Sequence, residues 1–126
     1  MKVLIFGSEY RDDDLALRVA RSLRRSMKGV EFEECDPEEV LSKGDDLLIM
    51  DVAQNTDDCM LIEGVEGLDL PPRVSTHDAD LVLQLKVGLK TGYIKRVRII
   101  SLPMGMELRR AKECARRLLD LINSNP

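Results

Sequence analysis

The chain has no tryptophan, two tyrosines and two phenylalanines, so aromatic residues make up only 3% of its 126 positions. Proteins that hold single-stranded nucleic acid stack bases on aromatic side chains, and this sequence has almost none to offer. Long apolar runs are also missing. Val3 to Phe6 and Leu47 to Met50 are the clearest, and both fall far short of the ~20 residues that a membrane-spanning helix needs. The amino terminus lacks the apolar stretch of a secretory signal. Neither a membrane nor nucleic acid is therefore expected as a partner, and the expected location is the cytoplasm.

Cysteine is sparse and unpaired in pattern. Cys35, Cys59 and Cys114 are odd in number and widely spaced, without a Cys-x-x-Cys pair, which predicts reduced thiols in packing positions and no zinc knuckle. Gly7 follows the first apolar run, yet no Gly-x-Gly-x-x-Gly or Walker-type sequence is present, so no standard phosphate cradle is expected. Histidine occurs once, at His77.

What is abundant is aliphatic and charged. Hydrophobic residues make up 44% and charged residues 33%, with a net charge of −4, as in one compact acidic domain over residues 1–126. Basic residues gather at Arg18, Arg21, Arg24, Arg25 and Lys28, and again at Arg109, Arg110, Lys112, Arg116 and Arg117, where helical spacing makes them solvated faces.

Apolar periodicity divides the chain into alternating elements. Lys2 to Phe6 reads as a buried strand and Asp13 to Met27 as a helix with Leu15, Ala16, Val19, Ala20 and Leu23 along its buried stripe. Val30 to Glu34 alternates as a half-exposed strand, and Asp36-Pro37 opens a short helix through Leu41. Asp46 to Asp51 and Cys59 to Glu63 follow as strands, and Gly64 to Arg73 as a loop. A helix carries Leu81, Val82, Leu85 and Leu89, a strand runs from Val97 to Leu102, and a last helix carries Leu108, Ala111, Ala115, Leu118 and Ile122. The alternation predicts an α/β fold, a three-layer α/β/α sandwich on a mostly parallel sheet of about five strands.

In such sheets ligands bind beyond the carboxyl ends of the strands, which directs the search to the loops there. Asp12-Asp13-Asp14 follow the first strand, Asp51 ends a wholly apolar one, and Ser75-Thr76-His77-Asp78 precede a helix. Two carboxylates and an imidazole suit a divalent ion such as nickel, zinc or manganese and leave coordination positions open. Each feature also has a plainer role. The aspartate run caps a helix, and a lone loop histidine is commonly solvated. Asp51 is harder to dismiss, because a carboxylate set against four apolar strand residues needs a partner or a cation.

These residues, in this order, resemble the hydrogenase maturation endopeptidases. That family opens with an apolar strand, a Gly-Asn turn, a short variable stretch and an acidic pair starting a helix, similar to Val3 to Phe6, Gly7-Ser8, Glu9 to Asp12 and Asp13-Asp14. Its Asp-x-Leu-Ile-x-x-Asp-Ala strand resembles Asp45 to Ala53, its Ser-x-His turn resembles Ser75-Thr76-His77, and its late Gly-x-x-Pro strand resembles Ile99 to Pro103. The resemblance implies a peptidase that trims the C-terminal extension from the precursor of a nickel-iron hydrogenase large subunit. It also implies that nickel, supplied by that substrate, is recognised by Asp14, Asp51 and His77, with Asp13 the alternative first ligand. Two departures stand out: Ser8 replaces Asn, and Cys35-Asp36-Pro37-Glu38 replaces a glycine-rich segment linked to substrate recognition.

Two other functions fit parts of the pattern. A receiver-like signalling domain also has an early acidic cluster and an aspartate ending its third strand, and would bind magnesium and be phosphorylated at Asp51. A family member that binds metal or a hydrogenase subunit without cutting it would keep the ligands and lose the substrate loop.

Overall fold

The structure, a computed structural model, describes residues 1–6, 14–53, 56–64 and 76–124, with side chains left aside for 76–80. Five strands form one sheet: β1 (Lys2–Ile5), β2 (Glu31–Glu34), β3 (Asp46–Ala53), β4 (Met60–Glu63) and β5 (Arg96–Pro103). Their order is β2-β1-β3-β5-β4, parallel throughout except for β4, which runs antiparallel along the edge of β5. Among the described residues three helices accompany them, α1 (Leu15–Leu23), α2 (Thr76–Thr91) and α3 (Leu108–Ser124), with a 3-10 helix at Pro37–Ser42.

The sequence explains which strand lies where. Central β3 has Leu47, Leu48, Ile49 and Met50 all buried, the continuous apolar run of a strand covered on both faces. Edge strand β2 buries only Phe32 among Glu31, Glu33 and Glu34, and edge strand β4 leaves Met60 and Leu61 exposed.

Two cores flank the sheet. Val3, Ile5, Leu48, Met50, Val52, Ile100 and Leu102 point to one face, where they pack on Leu15, Val19 and Leu23 of α1 and Ala111, Ala115 and Leu119 of α3. Leu4, Phe6, Leu47, Ile49, Val97 and Ile99 point to the other, against Leu81 and Leu85 of α2 and Val40 of the 3-10 helix. The result is the expected three-layer sandwich.

Several boundaries and contacts differ from the sequence reading. Helix α1 stops at Leu23, not Met27, because the Leu23 carbonyl accepts from the N–H of both Ser26 (3.0 Å) and Met27 (2.9 Å) and the chain turns away. In α3 Leu119 is fully buried along with Ala111 and Ala115, while Leu118 packs at the rim of the core. β3 runs to Ala53, two residues past Asp51, because its pairing with β5 continues through Val52↔Leu102 and Ala53↔Pro103.

The largest correction concerns the thiols. Cys59 and Cys114, 55 residues apart in sequence, form a disulfide with a Cα–Cα distance of 6.4 Å, and Cys35 is the free cysteine. The antiparallel return of β4 along β5 carries Cys59 into contact with the core on which α3 lies, a long-range approach that cysteine spacing does not reveal.

Candidate functional site at the carboxyl edge of the sheet

The two connections that leave the middle of the sheet diverge there. From β1 the chain runs through α1 on one face to β2 on one side, while from β3 it goes on to β4 and, through α2 on the opposite face, to β5 on the other side. Adjacent strands β1 and β3 therefore flank a topological switch point, the place where open α/β sheets form a crevice.

Asp14 directly precedes α1, at the N-cap position, and makes no capping hydrogen bond with its side chain. Its carboxylate instead lies 3.9 Å from the Arg18 guanidinium one turn along, with about a third of the side chain exposed. Asp12 and Asp13 lie outside the described residues.

Asp51 is the sixth residue of β3, half-buried, and stands in register with Ser101 of β5. It alternates with Met50 and Val52, which face α1 and α3, so it belongs to the face that α2 covers. A carboxylate here interrupts a run of Leu47, Ile49 and their neighbours that would otherwise be wholly apolar, and Asp51 is held by an interaction within the fold.

His77 is the second residue of α2, so the histidine expected in a turn before the helix is part of the helix's first turn. After α2, the backbone N–H groups of Lys95 and Arg96 donate to the Asp45 carbonyl at 2.7 and 3.0 Å, which fixes the end of α2 beside the amino ends of β3 and β5. Helix α2 thus runs antiparallel to those strands. Its first turn comes to their carboxyl ends, on the face to which Asp51 belongs. The start of α1 reaches the same edge of the sheet from the opposite layer. Ser75 lies outside the described residues.

Among the described residues no group of three or more His, Cys, Asp or Glu side chains is assembled as a metal site. The side chains of Asp13 and His77 fall outside that comparison. As donors, two carboxylates and an imidazole remain chemically suited to a borderline divalent ion such as nickel.

Sequence reasoning missed Ser101. It is 3% exposed and its hydroxyl has no hydrogen-bond partner among the described residues, although a buried polar atom normally has one. The signal was present as the one hydroxyl residue inside the apolar strand Val97 to Leu102.

Cys35 is no candidate nucleophile. Burial is the main cause that pushes its thiol up to about 11, with Glu39, Glu33 and Asp36 adding to it and Lys43 opposing. The neighbouring Asp36-Pro37-Glu38 segment, expected as a short helix, is the start of the 3-10 helix. The Asp36 N–H donates to Glu39 Oε1 at 2.8 Å, closing its first turn.

The architecture defines an α/β/α sandwich with a mixed sheet in the order 2-1-3-5-4. Hydrogenase maturation endopeptidases share this fold. The chain is similar to the hydrogenase maturating endopeptidase HybD from E. coli at 19% identity and a TM-score of 0.64, covering 99% of this chain and 94% of that one. It is similar to the [NiFe] hydrogenase maturation protease HycI from Thermococcus kodakarensis KOD1 at 23% identity and a TM-score of 0.57, covering 96% and 88%. A third similar structure is a hydrogenase 3 maturation protease, at 16% identity and a TM-score of 0.63 over 93% and 87%. No protein-family model matches the sequence, and neither does any curated protein.

Proposed function

We propose that this chain is an endopeptidase that removes the C-terminal extension of a nickel-iron hydrogenase large-subunit precursor after nickel insertion, acting in the cytoplasm. The observation that carries this reading is the near end-to-end likeness to several hydrogenase maturation proteases, combined with Asp51 on the strand that borders the switch point. Nickel arrives as part of the substrate. Asp51, His77 and Asp14, with Asp13 as the alternative to Asp14, are the residues that recognise it.

The bound ion would supply Lewis acidity toward the scissile carbonyl and lower the pKa of a water. The protein's own contribution is placement and proton handling. Asp51 sits one residue past the pairing with β1 and inside the ladder with β5, so its carboxylate starts from a backbone anchored on the sheet. Asp14 lies 3.9 Å from Arg18, a loose ion pair, and it, or Asp13, is suited to take a proton from the attacking water when not engaged with the cation.

The receiver-like alternative loses its support. Receiver domains of the flavodoxin-like type order their strands 2-1-3-4-5, whereas here β4 lies outside β5 and runs antiparallel to it.

The direct test incubates purified protein with nickel-loaded and nickel-free precursor and follows the precursor's C-terminus by intact mass. Loss of a C-terminal peptide from the nickel-loaded form alone is the expected result. An unchanged mass in both forms, from a folded protein, contradicts the proposal.

A further inference from the structure

Ser101 belongs beside Asp51 in a way its own strand does not require. The two are Cα partners across the parallel β3–β5 ladder, so their side chains leave the same face of the sheet from strands ~4.8 Å apart. Val97 and Ile99 of β5, like Leu47 and Ile49 of β3, fill the core beneath α2 on that face. At the next position along both strands the apolar filling stops. Aspartate takes its place on β3, and on β5 a serine whose buried hydroxyl has no hydrogen-bond partner among the described residues.

An alanine would fit the same volume without that loss, since an unmade buried hydrogen bond is costly. The hydroxyl is thus a donor held in reserve at the carboxyl edge, where the first turn of α2 also ends.

We propose that Ser101 is a positioning residue for Asp51, its hydroxyl donating to the Asp51 carboxylate when the carboxylate turns to meet the substrate's nickel. This rests on the reading of Asp51 as a nickel-facing ligand. In the free chain the Ser101 hydroxyl has no partner among the described residues, and the carboxylate keeps its own interaction within the fold. If Asp51 helps to hold the substrate's nickel, one of its carboxylate oxygens would remain available to a donor on β5, where Ser101 is its partner in register. A hydrogen bond from Ser101 to that oxygen is charge-assisted and fixes the rotation of the carboxylate, the role that partners of metal ligands commonly play.

The test compares wild type with Ser101→Ala and Asp51→Ala. Ser101→Ala is expected to lower kcat for a nickel-loaded precursor about tenfold with KM little changed, as loss of one oriented hydrogen bond in the transition state would. Its melting temperature, read on the free protein, is expected to stay level or rise, because an unpartnered buried hydroxyl has been removed. Nickel alone, titrated into 15N-labelled free protein, is expected to broaden the amide signals of Met50 to Val52, with Ser101→Ala needing roughly ten times the nickel for equal broadening.

Wild-type kcat in Ser101→Ala overturns the proposal, as does a kcat loss matched by a fall in melting temperature. Absence of broadening in both proteins at millimolar nickel overturns it as well. Asp51→Ala separates the two levels: if it still cuts at the wild-type rate, the reading of Asp51 itself has failed. If Asp51→Ala is inactive and Ser101→Ala is normal, only the assignment of Ser101 has failed.

Discussion

Replacing Gly88 with alanine should destabilise the protein, although the substitution favours the helix locally. Gly88 lies within α2. A Cβ at this position would come within 2.7 Å of Ile94 Cγ1 and 2.8 Å of Leu41 Cδ2, and closer still to Ile94 Cδ1. Ile94 cannot easily yield, because it is 1% exposed and its N–H donates to the Gly88 carbonyl at 2.9 Å. Gly to Ala in a helix interior contributes about 1 kcal/mol in favour of folding, while overpacking of a filled core costs about 1–3 kcal/mol. Three side-chain atoms lie inside ordinary contact, which places the cost in the upper part of that range. The net loss is then about 1–2 kcal/mol, or roughly 4–8 °C in melting temperature for a domain of this size. Thermal and urea unfolding followed by circular dichroism would measure it. Ile94→Val removes the nearest methyl, so it should cost about 1 kcal/mol less in the Gly88→Ala background than in wild type. A melting temperature that rises in Gly88→Ala would refute the reasoning, since it would mean that α2 is not seated on Ile94 and Leu41 as described.

Three other outcomes follow from the same structure. Replacing both Cys59 and Cys114 with serine opens a loop of 55 residues of sequence separation, and chain entropy puts the loss near 4 kcal/mol at most, with roughly 2–4 expected; unchanged urea stability of this variant against the oxidised protein would count against the bridge. Alkylation of Cys35 under native conditions should be slow at pH 8 and accelerate toward pH 11, following a thiol pushed up to about 11 mainly by burial, and half-maximal labelling near pH 8.5 would contradict this. Glu33 is held below the usual carboxylate range by hydrogen bonds from Lys43 and Lys2, with Lys2 Nζ at 3.2 Å. A depressed folded-state value means that its contribution is present above the unfolded carboxylate range and is lost as pH falls through the folded value. Glu33→Gln should therefore weaken urea resistance at pH 7 and make little difference at pH 2; an equal loss at both would show that charge is not the cause.

The elements with strong periodicity are readable in the sequence itself. The apolar run Leu47 to Met50 marked a strand buried on both faces, and the stripe of α1 was visible from Leu15 to Leu23, because burial on a regular element repeats at its period. What the residues alone could not show depended on distant neighbours. The antiparallel course of β4 is set by its pairing with β5, and the Cys59–Cys114 bridge follows from that course. The extension of β3 past Asp51 comes from Pro103 and Leu102 on β5, which no local signal on β3 encodes. At the candidate site, Asp51 was visible as a charge against an apolar run. Ser101 was passed over because a small hydroxyl in a strand is ordinary until its burial and missing partner are known. Asp14, Asp51 and His77 each lie on or beside an element that begins or ends near the carboxyl edge of the sheet, a placement that follows from the alternation of elements.

The measurement that bears most directly on the central claim is single-turnover processing of a nickel-loaded hydrogenase large-subunit precursor by wild type, Asp51→Ala and His77→Ala, each first shown to be folded by circular dichroism. The account predicts a C-terminal mass loss with wild type and at least a hundredfold slower cutting by both variants, the scale set by removal of one group aimed at transition-state charge, on the order of 3 kcal/mol. Processing at the wild-type rate by either folded variant would contradict it.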